Sequence, residues 1–376
     1  MIPRAIAAQI KDDLIHLHKI ILLYGPRQVG KTTLVKGLLS ELPIKKLEIN
    51  ADQLKYNEVL SSRDLTKMQE LIGDNELLFI DEAQNIPNIG INLKILHDSL
   101  PGLKIIATGS SSFDLANQVQ EPLTGRTRTY RLYPIAVQEL QNQYTTFQLQ
   151  DQLEQFLTYG MYPEVLQIKG GQAKQDHLLE LTTSYLYKDV LQLSSIKHSD
   201  KVHKLLKLLA LQAGSLVSLH ELGKALEMSH ETVNAYIDLL EKGFILFRLS
   251  GFSRNPRKEI TKMNKIFFYD NGIRNSLAAN FQPLEYRQDT GALWENFLIA
   301  ERYKKIAYQR LYGSSYFWRT YNGVELDYLE EKDGLLHGFE FKWKSAKRKA
   351  PSSWLETYDT ASYQLINREN FLEFVL

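Results

Sequence analysis

The run Gly25-Pro26-Arg27-Gln28-Val29-Gly30-Lys31-Thr32 stands directly behind the apolar stretch Ile20-Ile21-Leu22-Leu23-Tyr24. It has the form GxxxxGK[ST], a pattern that leaves little choice of fold, because a strand must end where the loop starts and a helix must begin where it stops. Glycines at both ends let successive backbone N–H groups turn inward as a cradle for the α- and β-phosphates, while the positive end of the following helix faces them. Lys31 is expected to reach the β- and γ-phosphates and the Thr32 hydroxyl to ligate Mg²⁺. Gly25, Pro26, Arg27, Gln28, Val29, Gly30, Lys31, Thr32 and Thr33 are the residues expected to hold ATP.

A chain of 376 residues is too long for one ordinary core, so two or three domains are expected. Hydrophobic and charged contents of 44% and 24% are ordinary for globular proteins, and a net charge of +1 means that any nucleic-acid surface must be local. Zero cysteines exclude a disulfide scaffold, a thiol nucleophile and Cys-ligated zinc. With no apolar run near the length of a membrane span, the expectation is a soluble, cytoplasmic protein without a membrane partner.

Short apolar runs alternate with amphipathic segments through the first third: Ile20 to Tyr24, Lys46 to Ile49, Leu77 to Asp81, Lys104 to Thr108 and Thr129 to Leu132. That alternation predicts an α/β fold with a parallel sheet over residues 1–140. Around Pro134 the pattern turns helical, with Phe156, Leu157 and Tyr159 before Gly160-Met161-Tyr162-Pro163 and Leu178, Leu179 and Leu181 after Gly170-Gly171. Residues 141–200 therefore read as a helical extension, or lid, of the sheet domain. A third unit is expected over residues 201–285 and a final α/β unit over residues 286–376.

The run Leu77-Leu78-Phe79-Ile80-Asp81-Glu82 is an apolar strand ending in two carboxylates. Asp81 is expected to hold Mg²⁺ with Thr32, and Glu82, pointing differently from the strand end, to orient and deprotonate an attacking water. A kinase has no need of that second carboxylate, so hydrolysis is favoured over transfer. The next strand ends in Ala107-Thr108-Gly109-Ser110-Ser111-Ser112, which places small hydroxyls beside the other strand ends, with Ser110 as the candidate γ-phosphate sensor. Gly125-Arg126 precedes the fifth strand, and Arg126 is the candidate finger for transition-state charge, in its own subunit or across an interface, with Arg128 and Arg131 close by. A finger acting across subunits would require an oligomer.

On these residues the first two domains resemble the AAA-type P-loop ATPases of bacteria and archaea, in the subgroup that opens with GPRQVGKT and continues with FIDEAQ, ATGSSS and L-x-GR. Those motifs stand at Gly25 to Thr32, Phe79 to Gln84, Ala107 to Ser112 and Leu123 to Arg126. The resemblance runs on through Tyr159-Gly160-Met161-Tyr162-Pro163-Glu164 and Tyr187-Lys188-Asp189-Val190 into a C-terminal region that travels with this ATPase.

Between Val202 and Tyr269 the chain reads as a winged helix-turn-helix. Leu219 to Leu226 forms the first helix, and Ser229 caps a second whose buried face is Val233, Tyr236, Ile237 and Leu240. Strand-like runs follow at Phe244 to Leu249 and Ile266 to Tyr269. The exposed face of the second helix includes Glu231, Asp238 and Glu241, unfavourable toward phosphate, and leaves His230 and Asn234 to contact bases. Arg254, Arg257, Lys258, Lys262 and Lys265, between the two strands, form either a DNA-touching wing or a solvated basic loop.

The last unit contains Glu295 on an amphipathic helix with Leu293, Trp294, Phe297 and Leu298 buried, Asp327 in Val324-Glu325-Leu326-Asp327-Tyr328, and Glu340-Phe341-Lys342-Trp343-Lys344. Glu340 and Lys342 share one strand face, with Phe341 and Trp343 on the other. A tight turn at Asp333-Gly334 would bring Asp327 and Glu340 together on a second divalent metal, with Lys342 stabilising a pentavalent phosphate. This set resembles the PD-(D/E)xK restriction-endonuclease-like active site, with Glu295 as an additional helical carboxylate. The expected function is an Mg²⁺-dependent ATPase coupled to a module that binds or cuts DNA. The alternative is a nucleotide-gated protein-interaction switch whose nuclease-like carboxylates pair with Lys342 and Lys344.

Overall fold

The computed structural model describes residues 2–110, 123–186, 199–254, 264–320, 322–344, 349–358 and 360–376. Ser111, Ser112, Tyr187 to Val190, Arg257, Lys258 and Lys262 lie outside the described residues. Two compact units emerge, one built on Met1–Pro134 and one that takes in Ile135–Ser184, Lys197–Glu241 and Ile245–Leu376.

The first unit is a five-stranded parallel sheet of β1 (Ile20–Tyr24), β2 (Lys46–Asn50), β3 (Leu77–Asp81), β4 (Lys104–Gly109) and β5 (Thr127–Arg131), in the order β2-β3-β4-β1-β5. β1 is buried at all five positions, as a central parallel strand covered on both faces must be, which accounts for its unbroken apolar sequence. β4 lies between β1 and β3. Because the strands are parallel, the loop after β1, Asp81 at the end of β3 and Ser110 just beyond β4 share one edge of the sheet. The fifth strand starts two residues earlier than its apolar pattern suggests, since an edge strand needs no continuous hydrophobic run.

The second unit is built on a seven-stranded mixed sheet. Its strands are β6 (Leu216–Val217), β7 (Leu246–Gly251), β8 (Asn264–Phe268), β9 (Ser314–Arg319), β10 (Glu325–Lys332), β11 (Leu335–Phe341) and β12 (Ser362–Ile366), in the order β12-β11-β10-β9-β7-β8-β6. Two helices, Leu219–Leu226 and His230–Lys242, precede the antiparallel β7 and β8, with Val233, Tyr236, Ile237 and Leu240 buried as their spacing requires. Ser229 Oγ accepts from Thr232 N–H at 3.2 Å and caps the second helix. β10 and β11 are joined at Asp333-Gly334, both with positive φ (52° and 78°), the conformation of a two-residue hairpin turn. Gly338 on β11 is required by packing, because a Cβ there would lie 2.7 Å from Leu326 Cδ1 and 3.2 Å from the Trp354 ring.

Two expected boundaries are corrected. The helices after Pro134, expected to extend the first sheet, pack within the second unit. There the fully buried Asp270 carboxylate accepts from Met161 N–H (2.7 Å) and Ile273 N–H (3.1 Å), and Asn275 Nδ2 donates to the carbonyls of Leu157 and Thr158. Gly160 admits Asp270, whose Oδ1 would lie 2.0 Å from any Cβ added there. These buried polar groups find their partners only in the second unit, and satisfying them decides which core the helices join. Nor do residues 201–285 and 286–376 have separate sheets. β7 pairs in parallel with β9 through Ser250–Tyr316 and Gly251–Phe317, and Phe252 N–H donates to Phe317 O at 2.7 Å. Among the described residues no helix is long and apolar enough to cross a membrane.

Candidate nucleotide site and carboxylate pocket

β1 delivers the chain into a loop that turns under Gly25 and Gly30 and opens the helix Lys31–Ser40. Gly25 is needed for a tertiary reason: a Cβ there would fall 2.1 Å from Leu132 O, the carbonyl beyond the neighbouring strand β5. Gly30 takes φ 91° at the helix N-cap, and Gln28 is also left-handed at φ 60°. Lys31 is buried, 5% exposed, and its ammonium donates to the carbonyls of Gly25 (2.8 Å) and Pro26 (2.9 Å). Both acceptors are neutral, so a phosphate oxygen would displace them readily. Thr33, one residue past Thr32 in the first turn, is exposed.

Thr32 Oγ1 donates to Asp81 at 2.9 Å and 3.1 Å from the two carboxylate oxygens. Thr108 Oγ1 donates to Asp81 Oδ1 and accepts from Glu82 N–H at 3.3 Å. Glu82 adopts a left-handed conformation (φ 53°) that breaks β3 after Asp81, and Gln84 Nε2 donates to its Oε2. The donor set of Thr32 and Asp81 fits a magnesium ion, which takes one or two carboxylates and completes its shell with phosphates and water. Ser110 is fully buried just past β4, whereas the hydroxyl that touches Asp81 belongs to Thr108.

Arg126 does not share this edge. Ile20 N–H donates to Arg126 O at 2.9 Å, and β1–β5 pairing runs from Ile20–Thr127 to Tyr24–Arg131. That places Arg126 at the opposite end of the sheet from the loop, roughly 16 Å away at about 3.3 Å per residue. Its guanidinium grips Asp98 at 2.7 Å and 3.0 Å, and these bonds, with His97, hold the Asp98 carboxyl down at about 2. A finger role within its own subunit is thereby excluded by geometry. Arg128 donates to Asp13 at 2.8 Å, and of the three arginines Arg131 ends β5 on the loop side.

Arg4 was not singled out by its sequence. Its guanidinium donates to Val29 O in the phosphate loop and to Tyr133 O, both at 2.6 Å, tying the N-terminal segment to the loop. No local pattern marks it, since both partners are backbone carbonyls of distant residues.

In the second unit a cavity of about 620 Å³ is lined by Lys265, Glu295, Arg319, Glu325, Asp327 and Glu340, together with Gly214 and its neighbours. The hairpin places Asp327 and Glu340 on adjacent strands, as their spacing predicts. Asp327 Oδ2 accepts from Phe341 N–H at 2.7 Å, and Lys342 pairs with Glu340 at 2.7 Å. Burial raises Glu295 to about 7, helped by the Asp327 charge and opposed by Lys265; burial and the Glu340 charge likewise raise Asp327, against the Phe341 N–H. Lys265, expected on a solvated or DNA-facing wing, is instead 3% exposed, with its ammonium 3.0 Å from Glu295 Oε1 and 2.5 Å from Glu325 Oε1. Among the described residues no three His, Cys, Asp or Glu side chains are placed to hold a metal, so the site expected on Asp327 and Glu340 is not formed by such a set.

The expected base-reading face is also occupied. Arg248 on β7 pairs with Asp238 and Glu241, each at 2.6 Å, and donates to Asn234 Oδ1 at 3.2 Å. Asn234 Nδ2 in turn donates to Asp238 at 3.3 Å, and the His230 ring lies tilted against His220 with centroids 4.4 Å apart. Arg254 lies over the Tyr358 ring, 4.7 Å from its centroid.

Residues 17–141 match the family profile described as an AAA domain. Residues 150–284 and 290–371 match two domains of unknown function, DUF8612 and DUF4143. The chain is 28% identical over 343 residues to the uncharacterized protein Rv2008c of Mycobacterium tuberculosis, covering 90% of this chain and 73% of that protein. It is 25% identical over 303 residues to the uncharacterized protein MJ1544 of Methanocaldococcus jannaschii, covering 76% and 66%. A search of solved structures finds the Walker-type ATPase PABY2304 of Pyrococcus abyssi at 16% identity and a TM-score of 0.49, covering 74% of this chain and 96% of that one. The match over 17–141 covers the phosphate loop and the strand ends beside it, and supports nucleotide binding and hydrolysis there. The match over 150–284 takes in the helices from Leu153 onward together with Leu219–Leu226, His230–Lys242, β7 and β8, in keeping with their shared core.

Proposed function

We propose that the chain is an Mg²⁺-dependent ATPase whose nucleotide state gates the second unit. The observation that carries this reading is the convergence of Lys31, Thr32, Thr108, Asp81 and Glu82 on one edge of a parallel sheet. Lys31 exchanges its two carbonyl acceptors for β- and γ-phosphate oxygens. Thr32 and Asp81 are the residues that would hold Mg²⁺, which supplies charge neutralisation on the phosphates when bound. Glu82 takes the proton of the attacking water, and Ser110, with Thr108 behind it, reads the γ-phosphate. Arg126 serves as a finger only toward a neighbouring copy, which makes oligomerisation a condition of that role.

For the second unit the observations favour the interaction switch over DNA cleavage. Arg248 spends its charge on the acidic face of the helix His230–Lys242, and Lys265 is buried away from any phosphate. ATP turnover with and without DNA tests the coupling. Incubation with supercoiled, branched and linear DNA in Mg²⁺ or Mn²⁺, alongside Asp327→Ala, tests the output. Cleavage lost in that variant restores the nuclease reading, and absence of both cleavage and salt-sensitive binding leaves the switch.

A further inference from the structure

Lys265 is accounted for neither by the nucleotide site nor by the expected nuclease residues. β8 holds its backbone on both sides, opposite Leu249 of β7 and Leu216 of β6. The side chain runs inward, its ammonium 5.4 Å from the centroid of the Phe317 ring and within bonding distance of Glu295 and Glu325. Glu295 comes from the helix Thr290–Gln309 and Glu325 from β10, so a single ammonium joins three elements of the unit. Gly214 lines the cavity on the Oε2 side of Glu295, where an added Cβ would stand 3.4 Å away, an ordinary contact distance. Asp327 and Glu340 are engaged separately, by Phe341 N–H and by Lys342.

Buried carboxylates require a counter-charge, and in nuclease-like sites a divalent cation drawn from solution provides it. Here the counter-charge is covalently attached. Burial alone would lower the Lys265 pKa, but the charges of Glu295 and Glu325 outweigh it and hold the ammonium above its ordinary value. A divalent ion needs several oxygens converging at about 2.0–2.6 Å, and an ammonium lodged between two of the candidate oxygens occupies that centre.

We propose that Lys265 is the resident cation of this pocket, standing between Glu295 and Glu325 beside Asp327, and that it keeps Mg²⁺ and Mn²⁺ out; the three carboxylates, which are not placed to hold a metal with the ammonium present, close on an ion only once it is removed. This inference concerns the second unit alone and does not depend on the ATPase reading. The test is the number of Mn²⁺ ions bound per nucleotide-free full chain, counted by electron paramagnetic resonance of the free ion. Wild type and Asp327→Asn should bind equal numbers. Lys265→Met, which keeps the apolar stem and removes the charge, should bind one more, lost again in Lys265→Met/Asp327→Asn, and Mn²⁺ should raise the Tm of Lys265→Met alone. A Mn²⁺ that wild type loses on Asp327→Asn overturns the proposal, as does a folded Lys265→Met that binds no more than wild type. If Lys265→Met does not fold, the comparison of wild type with Asp327→Asn still decides, equal counts supporting the proposal.

Discussion

Asp81 and Asp327 both sit on sheet strands beside a second carboxylate and within reach of a lysine's neighbourhood, yet their surroundings are opposite in kind. Around Asp81 the partners are hydroxyls, from Thr32 and Thr108, and the nearby Lys31 ammonium rests on neutral carbonyls. All of these contacts are exchangeable, because each partner loses little by turning to a phosphate or a metal. Around Asp327 the carboxylates are held by a backbone N–H and by the ammonium groups of Lys265 on β8 and Lys342 just past β11. A site built to turn over ligands keeps its charges on weak, neutral partners, while a pocket whose charges already neutralise one another has nothing left to offer an ion.

The strongest way to break this contrast is at the loop. Lys31→Ala should lose about 2–5 kcal/mol of nucleotide affinity, roughly thirtyfold to several thousandfold, in a titration with a fluorescent ATP analogue. Retained affinity would show that the ammonium is not free to change partners. Glu82→Gln should bind ATP as wild type does and lose about 10²–10⁴ in turnover. Substantial hydrolysis by that variant removes Glu82 as the base.

The pocket makes a prediction about pH. Glu295 titrates at about 7 in the folded chain against an ordinary 4.5, so the folded chain holds an extra proton between those values. Its contribution is fully present below about pH 4.5 and is lost as pH rises through about 7, on the order of 3 kcal/mol. Lys265, Asp327 and Glu325 are the charges that face it. In urea melts, the stability of Glu295→Gln relative to wild type should improve from pH 5 to pH 8, and an unchanged difference would count against the buried, raised carboxyl. The smallest effect belongs to Arg126. Arg126→Ala breaks an exposed contact to Asp98 and should leave turnover at low protein concentration unaltered. A deficit that appears only as concentration rises would assign the arginine to a neighbouring copy.

The first sheet was legible because its central strands β1 and β3 are short, almost wholly buried and separated by helical periods, so their apolar runs report burial directly. The hairpin Asp333-Gly334 and the helix buried through Leu293, Trp294, Phe297 and Leu298 were legible for the same reason: turn chemistry and periodicity are local. Lys265 was misread because a lysine near other basic residues looks solvated, and nothing nearby in the chain reveals two carboxylates waiting at positions 295 and 325. Which end of β5 Arg126 occupies was not legible, because nearness in sequence to a functional loop says nothing about which end of a strand a residue takes.

The sequence by itself determined the phosphate loop, the acidic strand end behind it and the order of strands and helices, since each depends on contacts within a few residues. Only the tertiary structure decided that Arg4 braces the loop, that the helices after Pro134 join the second core, and that the β7 and β9 strands merge two expected domains into one sheet. It also placed Lys265 among the carboxylates. These outcomes depend on where buried charges and unpaired backbone groups find partners, and that is settled by the whole fold because the partners lie tens of residues apart along the chain.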